Sequence, residues 1–145
     1  MDFSAALAEI TESIFSSMLG LPIERCSSDD APATATSLIG AVEICGAFEG
    51  AVTVECSAAF ARKAAAVMFS VAETEVSSGE MADMLGELTN MIAGNLKALV
   101  GGCQLSLPTV VEGALPKLKV AVLSVKNTLP FRSGGQPIRV QLLAG

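Results

Sequence analysis

The chain contains no histidine, no tryptophan and no tyrosine, and its only aromatic residues are six phenylalanines. Without an imidazole it can build neither a Ser-His-Asp nor a Cys-His nucleophile system, nor a histidine-bearing zinc or haem site. Without tryptophan or tyrosine it lacks the best platforms for stacking nucleobases. Positive charge is also scarce: 9 basic residues stand against 15 acidic ones, a net charge of −6, which disfavours phosphate backbones and anionic lipid as partners. Long uncharged runs are missing too. The longest, residues 98–111, has 14 residues and is interrupted by Gly101, Gly102 and Pro108, too little to cross a bilayer. The N-terminus is acidic at Asp2 and its first basic residue is Arg25, unlike a secretory signal. These exclusions predict a cytoplasmic protein that binds neither nucleic acid nor membrane.

What is present is apolar. Hydrophobic residues make up 51% of 145, a length that suits one domain burying roughly 70% of the surface its unfolded chain exposes. The four cysteines, Cys26, Cys45, Cys56 and Cys103, lie far apart and are expected reduced, in or near the core, not in a disulfide framework or metal site. Charge is uneven: residues 1–96 carry 14 acids and 3 bases, a net −11, and residues 97–145 carry one acid and six bases, a net +5. The alternation in Lys117-Leu118-Lys119-Val120 and Ile138-Arg139-Val140-Gln141 predicts that the late bases are solvated strand faces. Residues 26–36 read as a loop.

Three helices are predicted. The first covers residues 4–19, with Phe3, Leu7, Ile10, Ile14 and Met18 on one stripe and a stop at Gly20. The second follows a cap at Ser57 and runs to about residue 70, burying Phe60, Ala64, Val67 and Met68. The third and longest starts from the capping-box pair Ser77 and Glu80 and stops at Gly101-Gly102. Alternating segments at 38–45 and 51–56 flank a glycine-rich turn and predict a hairpin. Further strands are expected at 103–111, 118–126 and 138–143. In the fourth of these five segments both faces are apolar, as in a central strand or one buried by another subunit. Polar alternation at Glu43, Thr53, Glu55, Arg139 and Gln141 predicts one wet sheet face. The fold class is therefore α/β in the α+β sense: a two-layer sandwich whose largely antiparallel sheet carries long helices on one face.

The longest helix carries one regular polar feature. Asp83, Glu87, Asn90 and Gly94 fall within an arc of about 60° at helical spacing, away from the centre of the apolar stripe of Met84, Leu85, Leu88, Met91, Ile92, Leu96 and Leu99. Glu87 and Asn90, at i and i+3, are surface neighbours. Ala82, Gly86 and Ala93 flank this stripe, and a glycine inside a helix costs about 1 kcal/mol relative to alanine. Close approach of another backbone is expected there, from a partner or from this chain. Taken alone, the stripe reads equally as a helix-dipole charge at Asp83, a surface charge at Glu87 and a loop contact at Asn90.

The segment from Asp83 through Glu87 and Asn90 to Asn95 resembles the active-site helix of the CheX/CheC/FliY family of chemotaxis phosphatases, whose motif places Asp or Ser, Glu and Asn at this spacing, with a proline further on. The resemblance is widest to the CheX branch and extends over the leading helix, the hairpin around Phe48-Glu49-Gly50, the second helix, and Ser106-Leu107-Pro108 after the motif. It implies hydrolysis of the aspartyl phosphate on a CheY-type receiver domain, with Asn90 as the catalytic amide, Glu87 as its acidic partner and Asp83 in support. It also implies a homodimer, and Mg²⁺ brought by the receiver, not held by this chain. Gly86, Gly94 and Pro108 are the accompanying candidates for partner contact. The family proline usually falls further along, where this chain has Gly113. Pro108 is the better local match, as though the intervening turn were shortened. The rival reading is a receiver-binding adaptor, or a flagellar-switch-like module, that docks without turnover.

Overall fold

A computed structural model describes residues 3–27 and 37–145. The predicted loop at 26–36 thus lies largely outside the described residues. The elements run α1 (Ser4–Ile14), continued by a π-helical turn (Phe15–Leu19), β1 (Glu24–Arg25), β2 (Ser37–Gly46), β3 (Gly50–Ser57), α2 (Ala58–Phe69), α3 (Ser78–Val100), β4 (Cys103–Leu105), β5 (Thr109–Glu112), two 3₁₀ turns (Leu115–Lys117 and Lys119–Val122), β6 (Ser124–Ser133) and β7 (Gln136–Ala144). The seven strands form one sheet in the order β1-β6-β7-β3-β2, with β4 and β5 successively along the outer edge of β2, and every pairing is antiparallel. The α+β architecture is as expected.

The period-two pattern divides the sheet cleanly. Val42, Ile44, Val52, Val54, Val140 and Leu142 face the helices and join Leu7, Phe15, Phe60, Leu85, Leu88 and Ile92 in the main core. Phe15 stacks on Phe60 with ring centroids 5.7 Å apart, which fastens the turn after α1 to α2. That π-helical turn also corrects the first helix. It changes the phase so that Phe15 and Leu19 point inward and Met18 stands 53% exposed. In α2 the Ser57 hydroxyl caps Phe60 N at 3.1 Å as predicted, but Val67 is exposed and the alanines Ala61, Ala64 and Ala65 fill the interface.

The opposite sheet face departs most from expectation. Of the predicted strand 118–126, only residues 124–126 are strand, the start of β6: before them the two 3₁₀ turns lay Leu118 and Val120 over Ile39, Ala41, Ala51 and Leu143, forming a second small core. The apolar character of that segment is therefore used against the sheet, not within it. Nor is most of that face wet: Glu43 is exposed as expected, but Thr53, Glu55 and Gln141 are buried. Glu55 and Arg139, paired across β3 and β7, form a salt bridge, and Gln141 Nε2 donates to Thr128 Oγ1 at 3.0 Å. The Arg139 base is thus no solvated charge. Strand β6 runs on beyond the predicted end at residue 126, through Asn127 and Pro130. Its proline is tolerated near the sheet edge, where the missing N–H leaves only its carbonyl to bond, to Cys26 N at 2.9 Å. The two-residue turn Gly134-Gly135, with φ of 57° and 78°, closes the β6–β7 hairpin.

Candidate functional site

Local chemistry fixes both the start and the rotation of α3. Ser77 Oγ accepts from Glu80 N at 3.1 Å, and Ser77 N donates back to Glu80 Oε1 at 2.9 Å, completing the capping box. Met84, Leu85, Leu88 and Ile92 are fully buried. The helix passes so close to β2 that a Cβ on Gly40 would stand 2.6 Å from Thr89 Oγ1, a hydroxyl already donating to Leu85 O at 2.7 Å. With that side pinned, Asp83 and Glu87 are exposed and Asn90 and Gly94 half-buried along the far side. Leu99, assigned to the apolar stripe, is 64% exposed near the helix end.

The buried arc is wider than the hydrophobic residues alone indicate. Gly86 and Ala93 are buried, so the side taken as outward-facing turns toward the sheet edge. An alanine Cβ at Gly86 would lie 3.5 Å from Pro108 Cγ and 3.6 Å from Val110 Cγ2, an ordinary contact. The neighbour expected beside this glycine is thus a strand of the same chain. Gly94 is different, with nothing within 4 Å of a Cβ placed there.

Asp83, Gly86, Glu87 and Pro108 line one shallow cleft of about 470 Å³ together with Ala82 and Val110. The structure therefore brings four of the six predicted residues to one place. Asn90 stands one turn further along the same stripe as Glu87, with Cβ atoms expected about 5–6 Å apart, and Gly94 lies one turn beyond that. Among the described residues, neither carboxylate nor the Asn90 carboxamide has a hydrogen-bond or ion-pair partner. Asn95 offers a contrast, because its Nδ2 is spent on Met91 O at 2.8 Å.

The predicted strand at 103–111 is broken in two. Ile44 pairs with Leu105 and Ala41 with Thr109, so residues 106–108 oppose only residues 42 and 43. Ser106 stabilises this bulge: its N donates to Glu43 O at 2.9 Å, and its hydroxyl accepts from Glu43 N and donates to Leu107 O, both at 2.9 Å. Sequence reasoning missed the bulge that Ser106 holds immediately before Pro108. A serine one residue before Leu-Pro was the available sign.

Other chemistries find little support in the described residues. No group of three Cys, Asp or Glu side chains is placed to hold a metal ion. All four cysteines are free; Cys56 and Cys103 are buried, while Cys45 is exposed, contrary to expectation. Burial, reinforced by the neighbouring Glu55, pushes the Cys56 thiol up to about 12, so it remains a thiol and a poor nucleophile at neutral pH. No helix is long and apolar enough to cross a membrane among the described residues.

Residues 38–132 match the family described as "Chemotaxis phosphatase CheX". The chain belongs to the CheX family. No match was found among the curated proteins. Among solved structures, the chain is similar to the chemotaxis protein CheX of Vibrio vulnificus, with a TM-score of 0.79, 18% identity, and coverage of 99% of this chain and 96% of the other. The CheX protein of Desulfovibrio desulfuricans gives a TM-score of 0.72 at 18% identity over 100% of both chains. A chain of the CheX–CheY–BeF₃–Mg²⁺ complex from Borrelia burgdorferi gives 0.72 at 19% identity, covering 98% and 97%. At such identities the likeness establishes a shared fold. The family match includes all of β2 through β5 apart from Ser37, and with them the whole of α3 and its stripe.

Proposed function

We propose that this CheX-family chain is a phosphatase acting on the aspartyl phosphate of a CheY-type receiver domain. The observation that carries the reading is the pair Glu87 and Asn90, adjacent on the accessible side of α3 and free of partners within the described residues. An acyl phosphate has a good leaving group and a loose transition state, so catalysis rests on positioning and charge stabilisation, with little demand for a general base. That demand fits a chain without histidine.

In the proposed complex α3 lies across the phosphorylated site of the receiver. The Asn90 oxygen accepts a hydrogen bond from water and its NH₂ donates to a phosphoryl oxygen, holding the water in line with the scissile bond. Water attacks phosphorus, the P–O bond to the receiver aspartate breaks with its electron pair leaving on the carboxylate, and the water proton passes to phosphate or solvent. Glu87 pairs with a lysine of the receiver and sets the docking register, while Asp83 adds negative potential beside it. Magnesium belongs to the receiver in this scheme. The CheX–CheY complex from Borrelia burgdorferi supports the choice of partner.

The test is loss of phosphate from phosphorylated receivers encoded near the gene, with and without this protein. Accelerated loss from one of them is expected. Stable binding with no change in the rate would establish the adaptor reading instead. We also propose a cytoplasmic homodimer, motivated by the family and by Val122 and Val125, which are 90% and 43% exposed; a monomeric mass at micromolar concentration in sedimentation would contradict it.

A further inference from the structure

We infer that Gly40 and Thr89 are positioning residues: their contact sets the height at which α3 rides over the sheet, and with it how far Asn90 reaches into the phosphorylated site. The inference rests on the receiver-phosphatase reading and adds the part of the fold that holds the amide in place. Along β2 the row facing the helices reads Leu38, Gly40, Val42 and Ile44. Glycine thus stands where the pattern asks for an apolar side chain. Inside a strand it packs nothing, and it marks the close approach of another backbone. Gly40 is buried and has no left-handed φ, so its role is space, not conformation.

One turn of α3 fills that space. A Cβ on Gly40 would lie 2.6 Å from Thr89 Oγ1, 3.3 Å from Leu85 Cγ and 3.4 Å from the Leu85 carbonyl oxygen. Thr89 is held against swinging aside: it is fully buried and donates to Leu85 O at 2.7 Å, a bond whose loss would leave a buried hydroxyl unpaired. Gly40 also pairs with Val110 of β5, whose side chain lies beside Gly86. The turn is therefore seated on β2 and flanked by β5. Glu87 follows Gly86 and Asn90 follows Thr89, so both working side chains stand on the seated turn. The capping box at Ser77 lies 13 residues before Asn90, about 20 Å along the axis, and fixes the helix start without fixing this height. Bringing Thr89 Oγ1 from 2.6 to 3.4 Å from a new Cβ lifts the turn by about 0.8 Å, and a misplacement of about 1 Å is enough to cost a hundredfold in rate.

The experiment measures phosphate loss from a saturating phosphorylated CheY-type receiver, the Kd for the beryllofluoride–magnesium form of that receiver, and the thermal melt. It compares wild type, Gly40→Ala, Thr89→Ala and the double variant at a temperature where each is folded. Gly40→Ala should lower turnover at least about tenfold, with Kd within about threefold. The double variant, whose shortened residue 89 makes room for the methyl, should turn over within about threefold of Thr89→Ala. Leu129→Ala, which empties a buried position on β6, three strands from β2, should lower the melt and leave turnover unchanged. If Gly40→Ala does not fold, Thr89→Val, which presses a methyl on Gly40 in place of the smaller hydroxyl, should lower turnover about threefold, and Thr89→Ser should keep the wild-type rate. Wild-type turnover in every folded variant overturns the positioning role and leaves the phosphatase reading intact. So does an equal loss from Gly40→Ala in the Thr89→Ala background, or an equal loss in Leu129→Ala. A wild-type chain that accelerates phosphate loss from no receiver overturns both.

Discussion

The face of α3 that carries Met84, Leu88 and Ile92 is sealed against the sheet, whereas Asp83, Glu87 and Asn90 on the other face make no hydrogen bond or ion pair with a described residue. The first face is explained inside the molecule, by apolar burial and by the close passage over Gly40. The second is not. A helix that spends one side on the core normally clothes the other in lysine, glutamate, arginine and glutamine, many of them in i,i+4 pairs. Here the open side offers two carboxylates, one amide and a glycine, which the proposed function assigns to a receiver outside the chain.

Substitutions should separate the two faces sharply. Leu88→Ala empties a fully buried position and should cost about 2–5 kcal/mol in denaturant unfolding; a loss below about 1 kcal/mol would mean that the face is less tightly packed than it looks. Glu87→Ala should change stability by no more than about 0.5 kcal/mol, yet weaken receiver binding about tenfold, or about 1.4 kcal/mol. An effect on turnover with unchanged affinity would contradict its docking role. Gly94→Ala acts on stability with the opposite sign: with no atom in the way it should raise stability by about 0.5–1 kcal/mol. If it also reduces receiver affinity, the glycine is kept for the partner; if it leaves affinity intact, the docking footprint ends before that turn.

Legibility in the sequence followed the range of the interactions. The capping box, the helix stop at Gly101-Gly102 and the stripe of Asp83, Glu87 and Asn90 depend on neighbours within a few residues, and all three were readable. The placement of Gly86 was not, because only the tertiary position of β5 turns that side of α3 inward. Residues 118–123 misled because alternating apolar residues serve a 3₁₀ layer packed on a sheet as readily as a strand within it. The continuation of β6 past residue 126 was concealed by Asn127 and Pro130, although Gly134-Gly135 marked its hairpin. Likewise Thr53 and Glu55 looked like solvent-facing positions by period, and only the folded sheet reveals both as buried, Glu55 in a salt bridge with Arg139. For the site, the Glu87/Asn90 pair could be located from the sequence, while the Ser106 bulge preceding Pro108, which lines the cleft with Glu87, needed three dimensions.

The most direct measurement is single-turnover decay of a phosphorylated CheY-type receiver with Asn90→Ala set against wild type, alongside the affinity of each for the beryllofluoride-activated receiver. Asn90 is half-buried and bonds to no described residue, so the variant should fold and bind as wild type does. The account predicts that acceleration of phosphate loss falls by at least about a hundredfold, the scale of losing one preorganised polar group in a transition state, with affinity within about threefold. Full acceleration by Asn90→Ala would contradict the claim that this amide positions the attacking water.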